Sequence, residues 1–449
     1  MVMGLRTAAA EPVRLSLDDA LALARQRNAQ ARQGAIDVEL ADINVLRRKL
    51  AYVDLKLSLS GDAAYQYSSP MPSTTAGSAA MTPCPSSESA CWQPVSAAGL
   101  HGSLSVPVWS GFTMEASLAA ARLRMQSAKA NRQGALRQLV LSVGTAYWEV
   151  RRKELVMASR QSLARRFREF EQLTQQKVNS GLAPLVDSDR ARAQTLEVEL
   201  ELTQTMRELA TARATLASLL QTDAQLELTD DLPDDPPELP AVEEAVRIAL
   251  SERPELAGAD AETRAAAQDL RAAKGAYWPQ VSIVATADYV AGSQPSTSMP
   301  GSGASALSEY TSTPGTTPTT TTAYYGGVQM RWNVFDMLTT WNNVRSAGLT
   351  QERVLTQQER TRHDVILEVR SAHAQLHAVM RARGATRRLV ELARTDAGLL
   401  WRAYSVGATK MIDVIGAQKE LLQRETQLID NAVDLVEADL GLQTAMGRY

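Results

Sequence analysis

Two aspartates occupy matching places in a sequence that is otherwise rich in helix-forming residues. Asp187 follows Gly181 by six positions, and Asp413 follows Gly407 by the same six. Both pairs are separated by the same offset (407 − 181 = 226 and 413 − 187 = 226), which indicates an internal repeat. A carboxylate near a helix N-terminus stabilises the helix by ~0.3–1 kcal/mol. A structural role therefore competes with a functional one for both aspartates.

The other residues with chemical potential predict neither catalysis nor a bound metal. His373 and His377 are spaced i, i+4, but no third ligand accompanies them, and a zinc site needs three or four. No Ser/His/Asp grouping or Gly-rich phosphate loop is present, so we expect no enzyme and no cofactor. Cys84 and Cys91 lie in a Pro/Ser-rich segment. A local disulfide formed in an oxidising compartment is favoured there over free thiols.

Composition excludes two classes of protein. The 449 residues carry a net charge of −3, which gives no basic surface for nucleic acid. No stretch reaches the ~18 consecutive apolar residues of a spanning helix, so a helical membrane protein is excluded. Only 5% of the residues are aromatic, and long stretches rich in Ala, Leu, Gln, Glu and Arg are typical of extended helices.

The elements that carry the aspartates are duplicated. The segment LDDALALARQRN at 17–28 matches VEEAVRIALSER at 242–253, an offset of 242 − 17 = 225. Each half predicts a helix, a strand, a loop, a second strand, a long helix, a break and another long helix. The predicted organisation is one unit, 1–449, with repeat one at 15–225, an acidic, proline-rich linker at 226–241 and repeat two at 242–449.

Strict alternation of apolar and polar residues predicts four strands, at about 54–68, 99–109, 280–292 and 323–335. A soluble sandwich would need a second sheet to cover the apolar face, and no further strands are available. We therefore favour a transmembrane barrel, which turns the apolar face to lipid and the polar face to water. The residues predicted to face lipid are Leu57, Leu59, Tyr65, Tyr67, Val106, Ile283, Tyr289, Tyr324 and Trp332.

Four strands cannot close a barrel, and open strand edges are not tolerated in lipid. Other copies of the chain must therefore supply the missing strands, although the sequence does not give their number. Helical hairpins are predicted at about 113–220 and 338–446, with a first helix on the order of 100 Å long. In the last helix, a seven-residue ladder of Ile415, Leu422, Ile429 and Val436 predicts a left-handed coiled coil.

Together these features resemble the TolC-like outer membrane efflux protein family from about Leu15 to Gly447. The resemblance rests on the duplicated unit, on the strand-to-helix junctions VPVWSGF and WNVFDML, and on the break YSVGATKMIDVIGAQ. It implies an α+β membrane protein that forms a homotrimer. Four strands per protomer would form a shared 12-stranded transmembrane β-barrel, and the hairpins a long antiparallel α-helical coiled-coil barrel.

The resemblance also implies an outer membrane factor of a tripartite efflux pump or a type I secretion system. Such a passive exit duct carries drugs, small molecules or polypeptides to the exterior. Its partners are a periplasmic adaptor (membrane fusion) protein, an inner-membrane transporter and outer membrane lipid. It lies in the outer membrane of a Gram-negative bacterium, with a large periplasmic helical part and extracellular loops. The alternative is a non-conducting trimeric coiled-coil surface scaffold or adhesin.

Site residues follow from the same resemblance. Asp413 and Asp187 are expected at a periplasmic gate, where copies of Asp413 would form an acidic ring. The family often carries a second acidic residue three positions later, where this sequence has Gly416. The residues expected at the adaptor-contact hairpin tips are Gly181, Leu182, Val406, Gly407, Ala408 and Thr409.

Overall fold

A computed structural model describes residues 13–67, 92–222, 224, 226–233, 237–293 and 319–448. The elements in chain order are β1 (Val13–Leu15), α1 (Leu17–Arg27), α2 (Ala29–Leu50), β2 (Asp54–Tyr67), β3 (Trp92–Trp109), α3 (Thr113–Asn179), α4 (Leu185–Leu220), β4 (Leu226–Leu228), α5 (Val242–Glu252), α6 (Pro254–Gly275), β5 (Gln280–Ser293), β6 (Thr319–Arg331), α7 (Thr339–Ser405) and α8 (Met411–Ala445). The chain is therefore helix-rich, as the composition predicts.

The chain divides into two compact units. The strand unit comprises Ile43–Arg122 and Ala265–Gln351, and the helical unit comprises Met1–Asp42, Leu123–Arg264 and Glu352–Tyr449. Each unit takes residues from both predicted repeats. The compact units therefore do not coincide with the two sequence halves.

The strand unit holds a four-stranded antiparallel sheet in the order β2-β3-β5-β6. β3 begins at Trp92, seven residues before its predicted start, because its register with the 14-residue β2 extends the pairing to Tyr67–Trp92. The small residues and Pro94 in this segment hide the alternation from sequence analysis. In the described part of the chain, the outer edges of β2 and β6 pair with no other strand.

The fourth strand ends earlier than predicted, and Trp332 is not a strand residue. The pairing of β5 with β6 ends at Gln280–Arg331, because β5 begins at Gln280 and offers no partner further along. The Trp332 indole instead donates through Nε1 to the carbonyl of Tyr277 at 3.2 Å. The prediction of a strand to residue 335 was therefore wrong at this end.

The helical unit contains a second sheet that the sequence does not predict. β1 pairs in parallel with β4, so a strand occupies the start of the predicted linker. The buried Tyr147 hydroxyl donates to the Leu15 carbonyl at 3.1 Å and lies 3.1 Å from Asp230 Oδ2. Burial raises the pKa of Tyr147 to about 12, which keeps this hydroxyl protonated as a donor at neutral pH.

The long helices pack through apolar faces and one buried ion network. α3 and α7 have 67 residues each, and α4 and α8 have 36 and 35. The Arg137 side chain is only 7% exposed and bonds to Glu255 at 2.6 Å and to the Thr444 carbonyl at 2.9 Å. Arg253 adds a 2.6 Å bond to Glu368. This network fixes α3, α6, α7 and the end of α8 together. Among the described residues, no helix has the length and apolar character required to cross a membrane.

Candidate functional site

The first helical hairpin of the helical unit turns at a glycine that the backbone requires. At the end of α3 the Leu182 amide donates to the Lys177 carbonyl at 2.8 Å, and the Gly181 amide donates to the Val178 carbonyl at 3.0 Å. This bond pair is the Schellman pattern of helix C-termini, which needs a left-handed residue. Gly181 has φ +72°, and a Cβ there would meet no atom within 4 Å. The glycine therefore serves backbone conformation rather than close packing.

The second hairpin repeats each of these bonds at the 226-residue offset. The Ala408 amide donates to the Ala403 carbonyl at 2.8 Å, and the Gly407 amide donates to the Tyr404 carbonyl at 3.1 Å. Gly407 has φ +78° and is also surrounded by open space. The two turns thus share one backbone geometry.

Both aspartates lie at the third position of the returning helix. The Asp187 amide donates to the Pro184 carbonyl, and the Asp413 amide to the Lys410 carbonyl, at 3.0 and 3.2 Å. Neither Pro184 nor Lys410 caps its helix with a side-chain hydrogen bond. The carboxylates of Asp187 and Asp413 in the first turns complement the positive end of the helix dipole. Asp413 is exposed and accepts a hydrogen bond from the Thr409 hydroxyl at 3.2 Å, whereas Asp187 is half-buried.

The residues beside the two turns carry large exposed apolar side chains. Leu182 is 78% exposed and Val406 is 79% exposed. Gly181, Gly407 and Ala408 are exposed, and Thr409 is half-buried. Exposed apolar side chains at a hairpin tip are typical of an interaction surface.

The two hairpins pack against each other just behind their turns. The Lys177 ammonium donates to the Tyr404 carbonyl at 2.6 Å and lies 4.1 Å from the centre of the Tyr404 ring. The Tyr404 hydroxyl lies 3.3 Å from the Thr174 hydroxyl, and its ring packs against Phe170 at 5.0 Å. Tyr404 is 6% exposed. This contact fixes the first tip relative to the second.

The internal repeat in the sequence does not predict this contact between the hairpins. The residues at the offset of 226 from Lys177 and Val178 are Ala403 and Tyr404. Neither pair matches, so the repeat gave no signal. The only available signal was a large aromatic residue at the end of a long helix.

An interhelical ion pair also joins the hairpins. Lys419 of α8 donates to Glu197 of α4 at 2.9 Å. This hydrogen bond lowers the pKa of Glu197, because it favours the ionised carboxylate.

Between α3 and α8, the guanidinium of Arg152 lies among four carboxylates. Arg152 of α3 is within 3.0 Å of Glu149, Asp434 and Glu437, and within 3.7 Å of Asp430. Burial outweighs the attraction to Arg152 and raises the pKa of Glu437 to about 7. Burial also raises the pKa of Asp430. The contact between α3 and α8 therefore contains a carboxylate that titrates near neutral pH.

In the strand unit, the apolar faces of the strands are exposed. Leu59 is 82% exposed and Tyr324 is 80% exposed, while Ile283 and Tyr289 are about half exposed at 51% and 48%. Val106 is half-buried. Leu57, Tyr65 and Tyr67 lie at positions of β2 where the structure describes only the main chain. Cys84 and Cys91 lie outside the described residues.

The opposite face of the sheet carries polar pairs. His101 and Asp288 are directly opposite each other on β3 and β5, with Nδ1 and Oδ1 3.0 Å apart. In the helical unit, His373 Nε2 contacts the Pro240 carbonyl at 3.0 Å, and His377 is exposed. In the part of the chain that the structure describes, no three His, Cys, Asp or Glu residues are grouped to hold a metal ion.

Comparison with known proteins identifies the family that this chain resembles. The family model described as "outer membrane efflux protein" matches residues 245–448. The chain is similar to the outer membrane protein VceC of Vibrio cholerae (18% identity, TM-score 0.72, covering 96% of this chain and 96% of that chain). It is also similar to the Campylobacter jejuni CmeC outer membrane channel (13%, 0.74, 96% and 85%) and to the open state of the Neisseria gonorrhoeae MtrE outer membrane channel (19%, 0.68, 96% and 88%). A comparison with curated protein sequences finds no match.

At these identities the solved structures establish the fold. The family model supplies the independent sequence match, which covers most of the second predicted repeat. The resemblance predicted from the sequence is therefore confirmed.

Proposed function

Because this chain resembles the outer membrane efflux proteins in its second half and has the fold of their channels throughout, we propose that it is an outer-membrane exit duct. In this proposal it is the passive channel of a tripartite efflux pump or a type I secretion system in a Gram-negative bacterium. Drugs, other small molecules or polypeptides pass through it from a periplasmic pump assembly to the exterior.

The observation that carries the proposal is the open sheet with an exposed apolar face. Along β5, residues 283, 285, 287 and 289 are exposed, while the polar residues Ser282, Thr286 and Asp288 are half-buried. Leaving side chains such as Tyr324 and Leu59 in water is unfavourable, and lipid contact removes that cost. The polar face, with the His101–Asp288 pair, is suited to a water-filled interior.

Open strand edges support assembly from several copies. β2 and β6 each have an unpaired edge in the described chain, and such edges cannot remain exposed in lipid. With four strands from each protomer, a homotrimer gives one 12-stranded barrel (3 × 4 = 12), and the helical hairpins of three protomers form the coiled-coil tunnel in the periplasm. The matching lengths of the helices in the two halves support their origin as repeats.

The hairpin tips are suited to contact with a periplasmic adaptor. The two turns share one backbone geometry and expose Leu182 and Val406, so they offer apolar knobs to a helical partner. In this proposal the adaptor links the tips to an inner-membrane transporter. Asp413 has the exposure expected of a gate residue, and Asp187 is assigned the lesser role because it is half-buried.

Planar bilayer recordings test this proposal. The purified full-length protein should conduct ions, and Asp413→Ala should raise the conductance, because removing an acidic ring relaxes a charged constriction. Asp187→Ala is the matched control at the equivalent position, and it should change the conductance less. A protein that inserts but never conducts would contradict the duct. Tips that are cleaved by protease on intact cells would support the surface scaffold instead.

A further inference from the structure

The passage from strand to long helix has the same geometry in both repeats. We call residues 108–112 the first junction and residues 334–338, at the 226-residue offset, the second junction. In the first junction Ser110 Oγ accepts a hydrogen bond from the amide four residues later at 3.3 Å. In the second junction Asp336 Oδ2 accepts the equivalent bond at 2.8 Å. The start of α7 therefore repeats the start of α3.

Two consecutive residues of each junction have a left-handed backbone. In the first junction they are Gly111 and Phe112, with φ +60° and +67°. In the second junction they are Met337 and Leu338, with φ +51° and +67°. This backbone costs glycine nothing, but it is unfavourable for a residue with a side chain. Met337 therefore carries a strain that its counterpart avoids. Its side chain is 78% exposed, so packing within the chain does little to offset that strain.

The first junction is covered by the end of α6. The pairing of β3 with β5 brings the two together, and their backbones approach closely. A Cβ at Gly111 would lie 2.8 Å from Trp278 Cβ, and a Cβ at Gly275 would lie 2.6 Å from the Gly111 carbonyl oxygen. Both distances are too short for a real side chain, so this contact requires both glycines.

The second junction is open, because it follows an edge strand. The outer edge of β6 pairs with no strand in the part of the chain that the structure describes. Phe335, Met337 and Leu338 are 79%, 78% and 64% exposed. At the 225-residue offset, the counterpart of the α6 end is the end of α2, which leads into β2 at the opposite edge of the sheet. Leu50 and Val53 there are also exposed, at 63% and 56%.

The internal repeat gives these two exposed surfaces matching geometry. α2 and α6 have 22 residues each, and they end in the same turn. The Val53 amide donates to the Leu50 carbonyl at 3.0 Å, and the Trp278 amide donates to the Gly275 carbonyl at 3.1 Å. The end of α2 can therefore approach the second junction as the end of α6 approaches the first. Within one chain, however, β2 and β6 are three strand spacings apart, or about 14 Å, so a second copy must supply the contact.

We propose that the second junction docks on the α2 end of a second copy, with Met337 and Leu338 packed against Leu50 and Val53. This inference rests on the assembly of several copies in the proposed function, and it adds a contact beyond the ends of the strands. Inside the chain the equivalent contact is glycine against glycine, whereas between copies it is methionine against leucine. The strained backbone of Met337 is kept because its side chain contributes to this contact.

Disulfide cross-linking of the full-length protein tests the position of the contact, in a background with Cys84→Ser and Cys91→Ser. After mild oxidation, Leu50→Cys with Met337→Cys should join copies, because a disulfide needs Cα atoms roughly 4.4–6.8 Å apart. Leu50→Cys with Leu349→Cys is the matched control. Leu349 is 57% exposed, but it lies about 15 Å along α7 from the start of that helix. This pair should run as a single chain on a non-reducing gel.

Subunit exchange tests the Met337 side chain with the native cysteines in place. Donor- and acceptor-labelled proteins are mixed in detergent, and energy transfer reports the exchange rate. Met337→Gly removes the strain and the side chain together. Exchange should become at least tenfold faster, because burying a methionine side chain contributes a factor of ten or more. If Met337 were only a strained residue, exchange would stay the same or become slower. Met337→Leu keeps an apolar side chain and should exchange like the wild type.

The outcomes separate the inference from the proposed function. If the wild type assembles, but the pair at 50 and 337 does not cross-link or Met337→Gly exchanges no faster, the inference is wrong and the duct stands. In the assembled protein, a Met337→Cys thiol that reacts with a lipid-soluble maleimide would assign the second junction to lipid and also overturn the inference. If the wild type remains a single chain in detergent and in lipid nanodiscs, the proposed assembly fails and the inference fails with it.

Discussion

Glu437 is expected to make the helical unit less stable as pH rises from about 5 to 8. Its side chain is 22% exposed and lies 3.0 Å from Arg152, yet burial raises its pKa from 4.5 to about 7. The folded protein therefore binds a proton more tightly than the unfolded chain between these two pKa values. In that window the free energy of unfolding falls as pH rises, and above about pH 7 the loss is complete.

The size of the effect follows from the shift. A change from 4.5 to about 7, at about 1.4 kcal/mol per pKa unit, gives a loss of about 3 kcal/mol. The charged groups that surround Glu437 also influence its pKa. They are Glu149 and Arg152 on α3 and Asp430 and Asp434 on α8, with Lys153 of α3 linked to Glu149 and to Glu208 of α4.

Glu437→Gln isolates this contribution, because glutamine resembles the protonated acid at every pH. Guanidinium unfolding of the full-length protein in detergent, at fixed protein concentration and followed by helical circular dichroism, gives the free energy of unfolding for both proteins. As the pH rises from 5 to 8, the free energy of unfolding of the variant should increase relative to that of the wild type by up to about 3 kcal/mol.

Glu197→Gln is the control for this measurement. The hydrogen bond from Lys419 lowers the pKa of Glu197 from 4.5. The stability that ionised Glu197 contributes is therefore lost only as the pH falls below about 4.5. The difference between Glu197→Gln and the wild type should therefore stay constant from about pH 5 to pH 8. A Glu437→Gln difference that is equally constant would refute the role assigned to burial at Glu437.

Three further substitutions and one mass measurement have definite expected results. Gly407→Ala should lower the free energy of unfolding by about 1 kcal/mol, because φ is +78°, whereas Gly416→Ala, in an open helix interior, should raise it by about 0.5–1 kcal/mol. Arg137→Ala should destabilise the protein by about 3–5 kcal/mol in chemical unfolding, because it leaves the Glu255 carboxylate without its 2.6 Å partner. Intact mass without reductant should show a pair of hydrogen atoms missing if Cys84 and Cys91 form the predicted disulfide, and reduction should restore them.

The features that sequence analysis could predict are long or repeated. The 226-residue offset and the strand alternation indicated the family resemblance that the comparisons confirm, because each extends over many residues. The β1–β4 pair was missed because strands of three residues are too short for periodicity. The group around Arg152 was missed because its carboxylates lie up to 285 positions away along the chain. Proximity of that kind depends on how the helices pack, which no local pattern records.

The end of β6 shows a different limit. Alternation continues through Trp332 in the sequence, but pairing stops where the neighbouring strand begins at Gln280. A strand boundary is decided by both members of a pair, so the pattern of one strand alone could not place it.

The two hairpin tips have the same backbone geometry but differ in charge. At the 226-residue offset, Asp187, Arg190 and Gln194 correspond to Asp413, Gly416 and Glu420. The first tip therefore places a cation beside its aspartate and an amide one turn later. The second tip has open space beside its aspartate and then a carboxylate. Since the turns themselves have the same hydrogen bonds, the difference lies in side chains alone. Exchanging Arg190 and Gly416 between the tips would therefore move one positive charge from α4 to α8 without altering either turn, and ion selectivity should then become sensitive to Asp187.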